Sequence, residues 1–296
     1  MRCTLKFAVV VVLGFLAGVA PVLAQERIDE TRPLEPDARV YVQNVSGSVM
    51  VKAWDRKEIH ITGYLGEGTK RLDIEGDRER LEVEVIIPKF ARHVEGSELE
   101  IRLPATCRID VATVSADIDV DGLEGRINLE SVSGDIRAIG KPDETQVESV
   151  SGDIDLDIES RDVRVQVVSG DITLEGTCEE VAAQTVSGDI DIRAKGIVRL
   201  DANGVSGDLV FEGSLAEDGY YGFECHSGTV VLALTGSIDA DFEIESFNGR
   251  IDSDFGPEQR RRHKHAPGVE LRFTEGSGGA EVRIETFSGD VELRQQ

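Results

Sequence analysis

The stretch Val132-Ser133-Gly134-Asp135-Ile136 returns as Val150-Ser151-Gly152-Asp153-Ile154, as Val168-Ser169-Gly170-Asp171-Ile172 and as Val186-Ser187-Gly188-Asp189-Ile190, each copy 18 residues after the last. A degenerate copy, Val114-Ser115-Ala116-Asp117-Ile118, precedes them, and Val205-Ser206-Gly207-Asp208-Leu209 follows after a step of 19. Weaker versions stand at His226-Ser227-Gly228-Thr229-Val230, Phe247-Asn248-Gly249-Arg250-Ile251 and Phe287-Ser288-Gly289-Asp290-Val291, with steps of 21, 21 and then 40. An outlying copy occurs at Val45-Ser46-Gly47-Ser48-Val49. A fixed period of this size marks a solenoid, in which each repeat forms one coil and buries its apolar face against the next.

Between corners the apolar residues alternate. Ile154, Leu156 and Ile158 follow one corner, and Val163, Val165 and Val167 precede the next. Period two means strand, and no segment sustains the three-and-four spacing of a helix. Asp155, Asp157, Arg137 and Arg164 fall at outward positions. Each coil divides into two halves of one strand and one corner, and roughly ten coils spaced about 4.8 Å apart predict a rod about 50 Å long. The expected fold is an all-β, single-chain β-solenoid (β-helix) with coils of about 18–21 residues and an irregular N-terminal first-coil or cap region.

The 296 residues carry 57 Asp and Glu against 32 Lys and Arg, a net charge of -25. Such a surface repels phosphate backbones and argues against nucleic acid as a partner. Residues 1–24 read as a secretory leader: Arg2 and Lys6 are basic, Phe7 to Ala20 is apolar, and Val22-Leu23-Ala24 ends in small residues suited to cleavage. Cleavage after Ala24 predicts export to the periplasm or the cell surface, and Gln25 in place of a cysteine argues against a lipoprotein. Residues 25–35 read as a linker and 36–296 as a single solenoid domain. Within it, 36–104 are irregular coils or a cap, 105–257 regular coils, and 258–296 a charged loop and closing coil. The last strand, Val291 to Leu293, is expected to end uncapped, with an edge open to end-to-end association.

Taken together, the leader, the early Val45-Ser46-Gly47-Ser48-Val49 copy, the Val-Ser-Gly-Asp-Ile ladder and the closing Thr286-Phe287-Ser288-Gly289-Asp290-Val291 resemble the bacterial putative-adhesin family of β-strand repeat proteins, a domain of unknown function. The resemblance implies a β-helix-like fold in an envelope or secreted protein. It supplies no catalytic residues.

The corner ladder is the first candidate site: Ser133, Gly134, Asp135, Ser151, Gly152, Asp153, Ser169, Gly170, Asp171, Ser187, Gly188, Asp189, Ser206, Gly207 and Asp208. Carboxylates about 4.8 Å apart repel by about 0.9 kcal/mol each even in water, so each Asp is expected to accept hydrogen bonds from corner N–H groups while Gly takes a positive φ. A calcium ladder of the nine-residue toxin type needs more glycines and a different Asp spacing. The 18-residue coil also lacks the aliphatic residue every sixth position that hexapeptide acyltransferases use, since Asp162 falls where one is due. The second candidate is a basic run, Arg260, Arg261, Arg262, His263, Lys264 and His265, read as a solvated loop or a contact for an anionic partner. Tyr220, Tyr221 and Phe223 read as a core plug or, less readily, a sugar platform. Cys107, Cys178 and Cys225 lie too many coils apart for disulfides and read as packed thiols. No catalytic, cofactor or metal residues are expected. The function expected is a non-enzymatic, adhesin-like binding or scaffold protein of the envelope whose partner is a protein or polysaccharide. The alternatives are a self-assembling element and a polysaccharide-active enzyme.

Overall fold

The computed structural model describes residues 26–89, 94–263 and 266–296; the leader and, of the basic run, Lys264 and His265 lie outside them. Among the described residues there are 23 strands, from β1 (Glu26–Pro33) to β23 (Val291–Gln295), joined in one sheet, and no helix.

Equal coil lengths keep equivalent residues in register. β11 (Ile154–Ser169) lies parallel to β12 (Ile172–Ser187), with Ile154 opposite Ile172, Val163 opposite Val181 and Ser169 opposite Ser187. The same pairing runs through β10 (Glu144–Ser151), β9 (Ile136–Gly140) and β8 (Ile127–Ser133) to β7 (Arg108–Leu123). Because side chains alternate across a strand, an 18-residue repeat sends the same rows inward on every coil, and Ile, Leu and Val stack into one contiguous core.

Lengthened coils place their extra residues in turns. β13 (Ile190–Lys195) keeps the 18-residue offset from β12, with Lys195 opposite Thr177, while β14 (Arg199–Ser206) starts one residue late, with Arg199 opposite Glu180. Two further residues enter between β15 (Leu209–Gly213) and β16 (Tyr220–Ser227), whose Tyr220 faces Arg199. The wider interior is filled by Phe211, Tyr221 and Phe223, with Phe211 5.7 and 6.2 Å from the other two rings. The buried Tyr221 hydroxyl donates to the Ile197 carbonyl at 2.6 Å and accepts from the Ala216 N–H at 2.7 Å. Tyr220 faces outward instead, under the Arg199 guanidinium. The aromatic cluster is therefore split between plug and surface.

At the N-terminal end, β2 (Arg39–Trp54) stacks parallel on β7 with Ser46 opposite Ser115, so the outlying repeat is a true coil. Its other edge is covered by β5 (Arg80–Ile86) and β6 (Ser97–Pro104). β4 (Arg71–Gly76) pairs antiparallel with β5. β3 (Glu58–Leu65) runs antiparallel to β6, and β1 antiparallel to β3 over its full length. The expected linker is thus largely a strand. Ile28 is the lone aliphatic residue of β1, so alternation could not reveal it; backbone pairing with β3 makes the strand.

The C-terminal coils are not stacked in chain order. β22 (Ala280–Ser288) and β23 lie between two earlier levels. On one side are β16 and β17 (Val230–Leu234); on the other are β18 (Ala240–Ser246) and β19 (Ile251–Ser253). The far edge of β18 is taken by β21 (Ala266–Glu275), which carries β20 (Arg260–His263) antiparallel on it. The chain builds the outer level, caps it with a hairpin and returns to fill the level it skipped. Two expectations are corrected. Val291 to Leu293 is no free edge, because β17 and β19 pair with β23 from both sides. The basic run is no loop over Arg260–His263, because Arg260 and Arg261 pair with Glu270 and Val269.

Candidate functional site

Each corner is closed by three hydrogen bonds to neighbouring coils. The Gly152 N–H donates to Ser169 O at 3.2 Å and the Ile154 N–H to Asp171 O at 2.9 Å. The third bond runs the other way along the axis. The Asp153 N–H donates to Asp135 Oδ1 at 3.0 Å, the Asp171 N–H to Asp153 Oδ1 at 3.0 Å and the Asp189 N–H to Asp171 Oδ1 at 2.8 Å. The chain of bonds starts at Asp117 Oδ1, which takes the Asp135 N–H, and ends at Asp208 Oδ1, which takes the Thr229 N–H. The carboxylate column is thereby occupied in joining coils. Gly152 sits at φ +128, and a Cβ there would lie 2.3 Å from Gly134 O. Among the described residues no three His, Cys, Asp or Glu side chains gather as a metal site.

The corner ladder has a neighbour that sequence reasoning did not single out. The valine preceding each corner points outward. Val114, Val132, Val150, Val168, Val186 and Val205 are 47–49% exposed, values so alike that they describe one environment repeated six times. Beyond Val205 the row continues through His226, Phe287 and Phe247, in the spatial order the coil insertion imposes. The Phe287 ring stacks on His226 at 4.8 Å and on Phe247 at 4.9 Å, nearly parallel to both. Nine rungs at the coil spacing give a stripe about 38 Å long.

This stripe runs along an open groove of about 970 Å³. The residue inside each rung is small: Thr113, Ser131, Ser149, Val167, Thr185, Gly204 and Cys225. Several turn a polar atom toward the nearby corner, as when Thr113 Oγ1 donates to Ala116 O at 3.1 Å, Thr286 Oγ1 to Gly289 O at 2.9 Å and Cys225 Sγ to Gly207 O at 3.5 Å.

Its charge is one-sided. Five glutamates, Glu130, Glu148, Glu224, Glu245 and Glu285, line the groove two residues before their rungs, and among the described residues no Lys or Arg lines it. The Asp column stands three residues after the rungs on the other flank. At the outer end Arg283 pairs with Glu285 and Arg272 with Glu245, so the acidic character is strongest around Glu130, Glu148 and Glu224. Other outward rows are polar and cross-linked, as where Arg193 bridges Glu175 at 3.2 Å and Glu212 at 3.8 Å.

The three cysteines are free and buried. Burial pushes the Cys107 thiol up to about 12 and the Cys178 thiol up to about 11, and raises that of Cys225, so none is set up as a nucleophile. The basic run and the corner ladder do not meet in one site: β20 lies two strands beyond the last rung. The groove was findable by parity. Val167 and Val168 are adjacent, so one of them must face out.

A family model described as Toastrack DUF4097 matches residues 43–294. No curated protein matches the chain. Among solved structures, a putative adhesin from Bacteroides fragilis NCTC 9343 is 14% identical with a TM-score of 0.46, covering 91% of this chain and 98% of its own. A putative adhesin from Parabacteroides distasonis ATCC 8503 is 12% identical, with a TM-score of 0.46 and coverage of 91% and 97%. A putative lipid binding protein from the same organism is 9% identical, with a TM-score of 0.46 and coverage of 90% and 96%.

Proposed function

The chain belongs to the Toastrack DUF4097 family, and from that premise we propose that it is an exported, non-enzymatic, adhesin-like binding protein of the bacterial cell envelope whose working surface is the valine–phenylalanine groove. The observation that carries this reading is the nine-rung stripe, in which six valines and two phenylalanines are half-exposed. Soluble monomers rarely expose long contiguous apolar patches, and those that do use them for contact. Covering the remaining half of each rung releases about 1 kcal/mol per side chain. Summed along the stripe, that exceeds the low end of the association cost by about 5 kcal/mol and supports binding at about 0.1–1 mM before the partner's own buried surface is added. The cysteine thiols are buried and raised, and the corner carboxylates are tied into bonds between coils, which favours binding over catalysis at those groups.

The test is retention on envelope. Protein tagged at Gln296 is fractionated from intact and opened cells, and purified protein is mixed with washed envelopes, beside a variant carrying Val132→Thr, Val150→Thr and Val168→Thr. Threonine keeps the β-branched shape that suits a strand, so the fold is expected to hold. The reading expects the tag outside the cytoplasm and retention reduced several-fold in the variant. Cytoplasmic location, or equal retention by a folded variant, refutes it.

A further inference from the structure

We infer that the groove receives one apolar face of a cationic amphipathic α-helix about five turns long or longer; this deepens the reading that the groove is the working surface. Three features select that occupant. The first is backbone chemistry. Every coil strand beside the groove is already paired on both sides, as β11 is by β10, β9 and β12. An extended segment laid along the axis finds no free edge there, and its own N–H and C=O groups are left without partners against an apolar floor. A helix satisfies its backbone internally.

The second feature is spacing. Rungs recur about every 4.8 Å, helix turns every 5.4 Å, and same-face side chains of an extended chain about every 6.7 Å. A helix therefore stays near register for several rungs, whereas an extended chain slips out after two. The third is charge. The stripe lies between a row carrying five glutamates, interrupted by Gln166, Gln184 and Asn203, and the aspartate column three residues after the rungs; among the described residues no Lys or Arg lines it, and His226 is one of the rungs. A helix whose apolar stripe is flanked by Lys and Arg meets opposite charge on both sides. An anionic lipid surface, or the same acidic face of a second copy, meets like charge.

The experiment uses purified protein and three labelled probes: an idealised Leu/Lys helix of roughly 18 residues, a Leu/Glu helix with the same apolar face, and phosphatidylglycerol vesicles. Fluorescence anisotropy is followed at low and moderate salt. The expected result is saturable binding of Leu/Lys, at least about tenfold weaker binding of Leu/Glu, and no vesicle binding. Val132→Thr, Val150→Thr and Val168→Thr together weaken Leu/Lys binding about tenfold. Glu130→Gln with Glu148→Gln weakens it about threefold and flattens its salt dependence. Equal binding of Leu/Glu, preferential binding of vesicles, or Leu/Lys affinity unchanged by the valine substitutions overturns the inference. Concentration-dependent dimerisation abolished by those substitutions also overturns it. If Leu/Lys fails to bind while the valine variant loses envelope retention, the helix is the wrong occupant and the groove reading stands. If neither responds, both fall.

Discussion

Replacing Gly152 by alanine tests whether the corners are stacked as tightly as the geometry says. Two costs combine. At φ +128 an L side chain is strained, which costs roughly 1–3 kcal/mol. The added Cβ also meets Gly134 O at 2.3 Å and its carbonyl carbon at 2.8 Å. That is about 1 Å inside normal contact, and the atoms belong to backbone tied into the ladder, so the overlap costs about another 2–3 kcal/mol. Alanine returns about 0.4–1 kcal/mol by restricting the unfolded chain. The net expectation is a loss of about 2–6 kcal/mol. Gly236 is the matched control: its φ is +83, yet nothing lies within 4 Å of a Cβ built there. Gly236→Ala is expected to cost about 1 kcal/mol or less, from backbone strain alone. Urea unfolding followed by far-UV circular dichroism separates them. With a slope of about 3 kcal/mol/M, the midpoints should differ by about 1 M. Coils couple only to their neighbours, so Gly152→Ala is also expected to split the transition as the two half-stacks melt apart. Equal midpoints for the two alanine variants refute the claim that coil-to-coil contact, rather than local φ, dictates glycine at the corner.

Two further outcomes follow from buried and turn-bound groups. Ellman's reagent at pH 8 is expected to leave Cys107, Cys178 and Cys225 unlabelled in the native protein and to label all three in denaturant, because burial holds each thiol protonated; labelling of the native protein shows that a wall opens. Asp239 accepts the amides of Ser277 and Gly279 at 2.8 and 3.0 Å, and the Gly279 bond leads in holding its carboxyl below the usual range. The unfolded turn therefore binds a proton that the folded turn does not. The turn's stability is fully present above the ordinary carboxylate pKa of about 4 and is lost as pH falls through the lower folded value. Exchange of the Ser277 and Gly279 amides should lose protection in that acid window. Asp239→Asn should remove the pH dependence; an unchanged acid profile in that variant shows that another group controls the turn.

What could be read from the residues alone follows from how local each feature is. The 18-residue spacing of Ser133, Ser151, Ser169 and Ser187 dictates in-register coils, because one slipped residue would turn every inward Ile and Val to solvent. The corner aspartates were legible for the same reason: identical charges at one level of every coil demand a donor, and the next coil's N–H is the nearest. β1 was not legible, since Glu-Arg-Ile-Asp-Glu-Thr-Arg-Pro becomes a strand by pairing with a segment about 30 residues away. Nor was the order of the last coils. The 40-residue step to Ser288 is compatible with two further levels or with one skipped and refilled. Occupation of the far side of β18 by β21 is what decides it.

The insertion of the closing coil bears directly on the groove. In chain order the apolar row would run His226, Phe247, Phe287; in space Phe287 stands between the other two. Strand propensity alone does not account for this row. Equivalent outward positions after the corner carry Arg137, Asp155, Thr173 and Asp191, and two residues before the rungs stand Glu130, Glu148, Gln166 and Gln184, all compatible with strands in the same sheet. Coil stacking therefore tolerates polar residues at outward positions, yet the rung row is valine six times and continues in stacked rings. Rings 4.8 and 4.9 Å apart match the coil spacing, so the stripe stays flat and unbroken across the level at which the chain reverses its order. A surface kept largely apolar across a change of residue type, coil length and chain order is what the proposed groove function requires, and the five glutamates along it are what the proposed charge of the occupant rests on.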